Sequence, residues 1–172
     1  MPARLLICAF VAGVALAVGG SASSASSVPG GGPIVWMNAT CGSIKLLEFD
    51  ALAGQAKLDV SPSHGGLANL LARADADAAR VGTATAKPLP EIPQGAQIAS
   101  SLHASAAAFR SYVDGRRAVL LHKSLAVGAT SSAVAARSRA LGAAFIRIDA
   151  TYPSPQFTAT IDQAPLCALV HG

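Results

Sequence analysis

The chain has 172 residues, 52% of them hydrophobic and only 13% charged, with 13 lysines and arginines against 9 acids, 4 histidines and 3 cysteines. No basic run exceeds the pair Arg116-Arg117, so the sequence offers neither a nucleic-acid footprint nor a polybasic membrane patch. The alanine-rich, aromatic-poor composition resembles that of proteins from high-GC bacterial genomes.

Met1-Pro2-Ala3-Arg4 carries one positive charge, the apolar run Leu5 to Val18 follows, and Gly19, Gly20 and the small-residue tract Ser21 to Ser27 complete the layout of an export signal. Small residues at Gly20-Ser21-Ala22 and Ser23-Ser24-Ala25 place cleavage after Ala22 or Ala25, so residues 1–25 read as a secretory signal peptide. The competing reading is a retained anchor, but about 20 apolar residues are needed to cross a bilayer and this run is shorter. No transmembrane helix is therefore expected in the mature protein. Cys8 follows Leu6 and Ile7 instead of the small residues that lipid attachment requires, and it leaves with the signal. Removing 25 of the 172 residues leaves 147, the length of one domain with one core, and 12 basic residues against 9 acids.

Two cysteines remain, Cys41 and Cys167, and an oxidising compartment gives them one intramolecular pairing. Closing a loop of that length corresponds to roughly 4–5 kcal/mol in the chain-entropy model. A redox or metal-binding pair needs close Cys-x-x-Cys spacing, which is absent, so the pair reads as a structural disulfide.

Val28-Pro29-Gly30-Gly31-Gly32-Pro33 resists regular structure, so 26–33 reads as a flexible leader and 34–170 as a single helical domain. Trp36 is expected to be buried near the disulfide, with ligand stacking as its alternative role. From Thr40 or Cys41 to about Lys57, Ile44, Leu47, Ala51 and Gly54 recur at helical spacing, with Leu46, Phe49 and Ala53 as an adjoining apolar edge; Ser43 to Leu47 also fits a strand. Leu67, Leu70, Leu71, Ala74, Ala78 and Val81 form a clean stripe on a second helix, which Gly82 ends, with Arg73, Asp77 and Arg80 on the solvated face. Lys87 to Pro93 reads as an extended, polyproline-like crossing. A third helix from about Ala96 presents Ile98, Leu102, Ser105, Phe109, Tyr112, Val113, Arg116 and Leu120; Asp114-Gly115 either sits inside one long helix, the preferred reading, or breaks it. Gly128 to Ser132 reads as a loop ending in cap residues, before a helix with Val134, Leu141, Phe145 and Ile148 inward, widened by Ala140 and Ala144. Ser154 and Pro155 start a last element carrying Phe157, Ile161, Ala164 and Leu166 toward Cys167, kinked or ended at Pro165.

Chemistry-bearing motifs are scarce. There is no Gly-x-Ser-x-Gly elbow and no Ser-x-x-Lys. His64-Gly65-Gly66 shares part of an esterase oxyanion loop, yet Ser63 as a helix cap accounts for it, with anion binding at the glycine-rich entrance as the sharper alternative. His64, His103, His122 and His171 occur singly, so no metal site is expected. The pairs Asp75/Asp77 and Glu48/Asp50 point to different sides of their helices, which does not suit paired acid catalysis. Arg110, Arg116 and Arg117 can gather with Arg137, Arg139 and Arg147 if their helices are neighbours, although scattered arginines more often serve solubility.

The expectation is an all-α fold, a four- or five-helix bundle closed by one disulfide between its first and last elements. The expected role is non-enzymatic binding or structure at the bacterial envelope or outside the cell, with no cofactor and no nucleic-acid partner. The alternative is a carrier of an apolar ligand, lipid or haem, in a pocket between helices, held by Tyr112, His103 or His122. The layout looks similar to that of small secreted helical haem carriers of mycobacteria, which also place a cysteine near each end; that similarity rests on Cys41 and Cys167 alone.

Overall fold

The apolar repeats at helical spacing become helices throughout. The computed structural model describes residues 32–122 and 125–171; the stretches expected to be an export signal with its cleavage sites and Cys8, and the expected leader up to residue 31, lie outside them. Six helices follow in order: α1 (Pro33–Val60), α2 (His64–Ala84), α3 (Gly95–His122), α4 (Val127–Thr151), α5 (Pro155–Gln163) and α6 (Pro165–His171). Among the described residues there is no strand, so Ser43 to Leu47 belongs to a helix. The four long helices pack in a ring, α1 on α2, α2 on α3, α3 on α4 and α4 back on α1, and the short α5 and α6 lie along α1. The four long helices form the bundle and two short ones complete the six: of the two expectations at Pro165, a kink or an end, the chain shows the end, since α5 stops at Gln163 and Pro165 starts α6.

Local chemistry explains the boundaries. Pro33 occupies the first turn of α1, where a missing N–H costs nothing, so the helix begins well before Thr40 and contains Trp36. Ser63 caps α2 as expected, its hydroxyl accepting the Gly66 N–H at 3.1 Å. Gly82 does not end α2, since one glycine costs about 1 kcal/mol in a helix and does not forbid it. Asp114-Gly115 likewise sits inside an unbroken α3. Ser154 caps α5 through the Phe157 N–H at 3.3 Å, with Pro155 at the first helical position.

Two connections differ from the expectation. The stretch after Thr85 is a folded loop: Leu89 turns inward and is buried, its N–H bonds the Gly95 carbonyl at 3.2 Å, and Glu91 and Gln94 both take φ of 60°. Gly95 is required there, because a methyl group at its Cα would overlap the Leu89 carbonyl. The loop is fastened to α1 by the Trp36 indole N–H, which donates to the Lys87 carbonyl at 3.0 Å. The α4 helix begins at Val127, so Gly128 to Ser132 is its first turn and not a loop. Thr130 and Ser131 are buried there, and Ser131 bonds the Gly128 carbonyl at 3.0 Å.

The core runs the length of the ring. Ile44, Leu47, Leu67, Leu71, Ile98, Leu102, Val113, Val134, Phe145 and Phe157 are buried in it. The inward edge of α4 is widened by Ala135 and Ser138; Ala140 is exposed and Ala144 half-buried, because α4 turns Gly142, not those alanines, toward α1. Cys41 of α1 and Cys167 of α6 are both buried and joined as a disulfide, with Cα atoms 5.0 Å apart across 126 residues of sequence. Asn38 adds a second tie between the same two helices, its Oδ1 accepting the Leu166 N–H at 3.0 Å.

Candidate functional site

The three residues proposed to hold a ligand do not converge. His103, Tyr112 and His122 lie on α3 at steps of nine and ten residues, so they are spread over roughly 28 Å of helix at 1.5 Å per residue. Nine residues at 3.6 per turn also put His103 and Tyr112 on opposite sides of α3. His103 is exposed and its Nδ1 lies 3.0 Å from the Gly82 carbonyl, an acceptor that makes this nitrogen the protonated one. His122 is exposed in the last turn. Tyr112 is half-buried at the α3–α4 contact between two guanidinium groups, Arg116 at 5.0 Å and Arg137 at 4.1 Å from its ring centre. Among the described residues no three histidines, cysteines or carboxylates come close enough together to hold a metal ion.

Four of the six arginines of α3 and α4, namely Arg110, Arg116, Arg117 and Arg137, are engaged with carboxylates or the Tyr112 ring. Arg110 and Arg117 both reach Asp75 on α2, at 2.8 and 3.5 Å, and Arg117 also lies 3.6 Å from Asp114. The hydrogen bond to Asp75 raises the Arg110 pKa further above its already high value. Arg116 and Arg137 are stacked on Tyr112. Arg139 and Arg147 are exposed on α4.

Asp77 overturns its assignment to the solvated face. Its position borders the α2 stripe, and the packing of α1 on α2 extends over it, leaving the residue 2% exposed. Burial first, and then repulsion from the Asp50 carboxylate on α1, raise its pKa above the usual aspartate value, with Arg80 opposing. As an ionised group it leaves Oδ2 without a hydrogen-bond partner. A bond between the two carboxyls exists only while one holds a proton, so it also favours the protonated form.

Next to this pair a cleft of about 400 Å³ opens between α1 and α2, with Asp50, Lys57 and Arg73 at its edge and Leu58 and Leu70 in its walls. Two glycines allow the close approach that shapes it: a methyl on Gly54 would meet Leu70 Cδ1 at 2.6 Å, and one on Gly66 would meet Leu58 Cδ2 at 2.7 Å. The cleft mixes both charge signs and borders the α2 entrance, where Ser63 already uses one of the free backbone donors.

The least satisfied surface is the outer face of α1. Leu46, Phe49 and Ala53, expected as an edge of the core, are exposed instead. They belong to a longer series, Val35, Ala39, Gly42, Leu46, Phe49, Ala53, Ala56 and Val60, whose steps alternate four and three. Seven of the eight are exposed, with Val35 at 61%, Phe49 at 69% and Val60 at 87%, and Gly42 is half-buried. At 100° per residue this seam lies opposite the buried stripe of Met37, Cys41, Ile44, Leu47 and Ala51. Leu166 of α6 rests against Gly42 and, with Leu169, widens the exposed apolar surface. Sequence reading missed the seam because it started the helix at Thr40; starting at Pro33 reveals a 3.5-residue repeat along the whole element.

No protein-family model, curated protein or solved structure matches this chain. Among the described residues no helix is long and apolar enough to cross a membrane.

Proposed function

We propose that the chain is an exported helical module with a binding or structural role, not a catalytic one, at the bacterial envelope or outside the cell. The observation that supports it most is the apolar outer face of α1, a surface whose chemistry serves recognition and has no task inside its own fold. The Cys41–Cys167 cross-link supports the compartment, since such bonds persist where thiols are not kept reduced. Fractionation of the native host, with a thiol count under denaturing, non-reducing conditions, tests the export. The expected result is protein outside the cytoplasm with no titratable thiol. Cytoplasmic protein with two free thiols overturns the reading, as does a turnover activity lost on His64→Ala.

A second reading, a carrier of a lipid or haem, is favoured by the α1–α2 cleft, whose volume of about 400 Å³ falls within the range of small-molecule sites. The cleft, not the dispersed Tyr112, His103 and His122, is then the place of binding. Titration with haem and with a fluorescent fatty acid tests it. A signal that Leu70→Trp abolishes supports the reading, and no signal from either ligand removes it.

A further inference from the structure

A helix with apolar residues on two opposite faces needs a partner on each, yet α1 has its outer face in solvent. The repeat on that face is specific in what it fits. Apolar residues at alternating steps of four and three are the seam along which two helices pack knobs into holes, so the matching occupant is another helix with the same period. The chain itself supplies one: a second copy presents the identical seam, and a two-fold axis makes such a contact self-complementary.

We propose that α1 is the pairing face of a homodimer in which the two α1 helices lie parallel, seam to seam. The inference deepens the binding role proposed above and rests on it. The orientation comes from the charges beside the seam. Lys45 borders Leu46 on one flank, and Asp50 borders Phe49 on the other, five residues further on. In a parallel pair these are the flanking positions that face each other across the seam, so each Lys45 lies opposite the partner's Asp50, twice over by symmetry, and pairing there draws the Asp50 carboxylate away from Asp77. An antiparallel pair instead turns like flanks together, lysine side toward lysine side and aspartate side toward aspartate side. Among the described residues Lys45 is paired with Glu48 on its own helix, at 3.3 Å and one-third exposed, which leaves two of its three ammonium donors for a second carboxylate.

The area sets the strength. A 28-residue helix is about 42 Å long and about 10 Å wide, which gives roughly 400 Å² per copy. Even with Leu166 and Leu169 added, the total stays at or below the roughly 1,200 Å² at which stable interfaces begin, which places the dimer among the transient contacts that exchange with monomer.

Sedimentation of the disulfide-intact protein across micromolar to near-millimolar concentration tests the pairing. The expected result is a rise from monomer to dimer mass, abolished by Phe49→Glu while the melting temperature of the monomer is unchanged. Lys45→Glu and Asp50→Lys are each expected to raise the dissociation constant about tenfold, and the double exchange to restore it. Ala53→Cys reports the orientation, because only a parallel pair brings the two introduced thiols together to form a covalent dimer. A monomer at every concentration overturns the proposal, and so does a dimer that ignores Phe49→Glu or that forms without the Ala53→Cys cross-link. A monomer that sediments with anionic lipid vesicles gives the face to a membrane surface and overturns it as well. Failure here is separable from failure of the export reading: an exported, disulfide-bonded monomer removes only the dimer, and a dimer found in the cytoplasm with free thiols removes only the export.

Discussion

α1 and α2 pack on each other along most of their length, yet they divide their surfaces differently. On α2 one apolar stripe, Leu67, Leu70, Leu71, Ala74, Ala78 and Val81, is fully used by the core, and the opposite face carries Arg73, Ala76 and Arg80. On α1 the inner stripe is used in the same way, and the outer face repeats the same chemistry with only Leu166 of α6 resting on it, at Gly42. An amphipathic helix such as α2 needs only its own fold to satisfy it. α1 is satisfied only in part by this fold: its outer series alternates steps of four and three as the buried stripe of α2 does, but is left in solvent.

The largest expected effects fall on what α1 does inside the bundle. Removing the disulfide as Cys41→Ala/Cys167→Ala frees both α6 and the α1 turn it grips, and about 2–5 kcal/mol of stability is expected to go, read from urea unfolding. Leu47→Ala on α1 and Leu71→Ala on α2, both fully buried, are expected to cost a similar 2–5 kcal/mol each. If Leu47→Ala costs much less than Leu71→Ala, the inner faces are not equivalent and the comparison breaks.

Features set by neighbouring residues were legible in the sequence; those set by a second helix were not. Ser63 and Ser154 could be read as caps because the hydroxyl and the N–H it accepts lie three residues apart. The disulfide was legible because only two cysteines follow residue 25, where the expected signal ends. The fold of the loop before α3 was hidden, since Glu91 and Gln94 are not residues that announce a positive φ. Burial of Asp77 depends on where α1 lies, and the bracing of Tyr112 depends on the register of α3 against α4. Of the candidate site, periodicity identified the apolar side of α1 from Leu46 to Ala53 but not what, if anything, covers it.

The α1–α2 contact contains one unfavourable element, and its pH dependence can be derived. Asp77 has a folded pKa raised above the ordinary 3.8, so the folded state holds its proton more tightly than the unfolded state does. Its contribution to stability is therefore intact below pH 3.8 and is lost as pH rises through the folded value. Asp77→Asn keeps the shape, removes the charge and lets an amide N–H donate to Asp50. It forfeits an ion pair with Arg80 that is worth little, because Arg80 is 59% exposed. The variant is expected to be more stable than the wild type at pH 7 by about 1 kcal/mol, the scale of a buried polar group left unpaired, with the gain vanishing on acidification below pH 4. A gain that persists at pH 3 would assign the effect to something other than the buried charge.

The smallest effect is the sharpest test of the contrast between the faces of α1. Phe49→Ala removes the largest side chain of the seam, and the same truncation at Phe145, wholly buried in α4, is expected to cost about 3–5 kcal/mol. At 69% exposure Phe49 has little burial to lose within its own fold, and alanine is the better helix former by a few tenths of a kcal/mol. Unfolding at submicromolar protein, where any self-association has dissolved, is expected to show a change within about 0.5 kcal/mol of zero. Repeated at high concentration, the two proteins should diverge, because the wild type gains stability from association and the variant does not. A large loss at low concentration would place Phe49 in the bundle's own packing and remove the distinction between the two faces of α1.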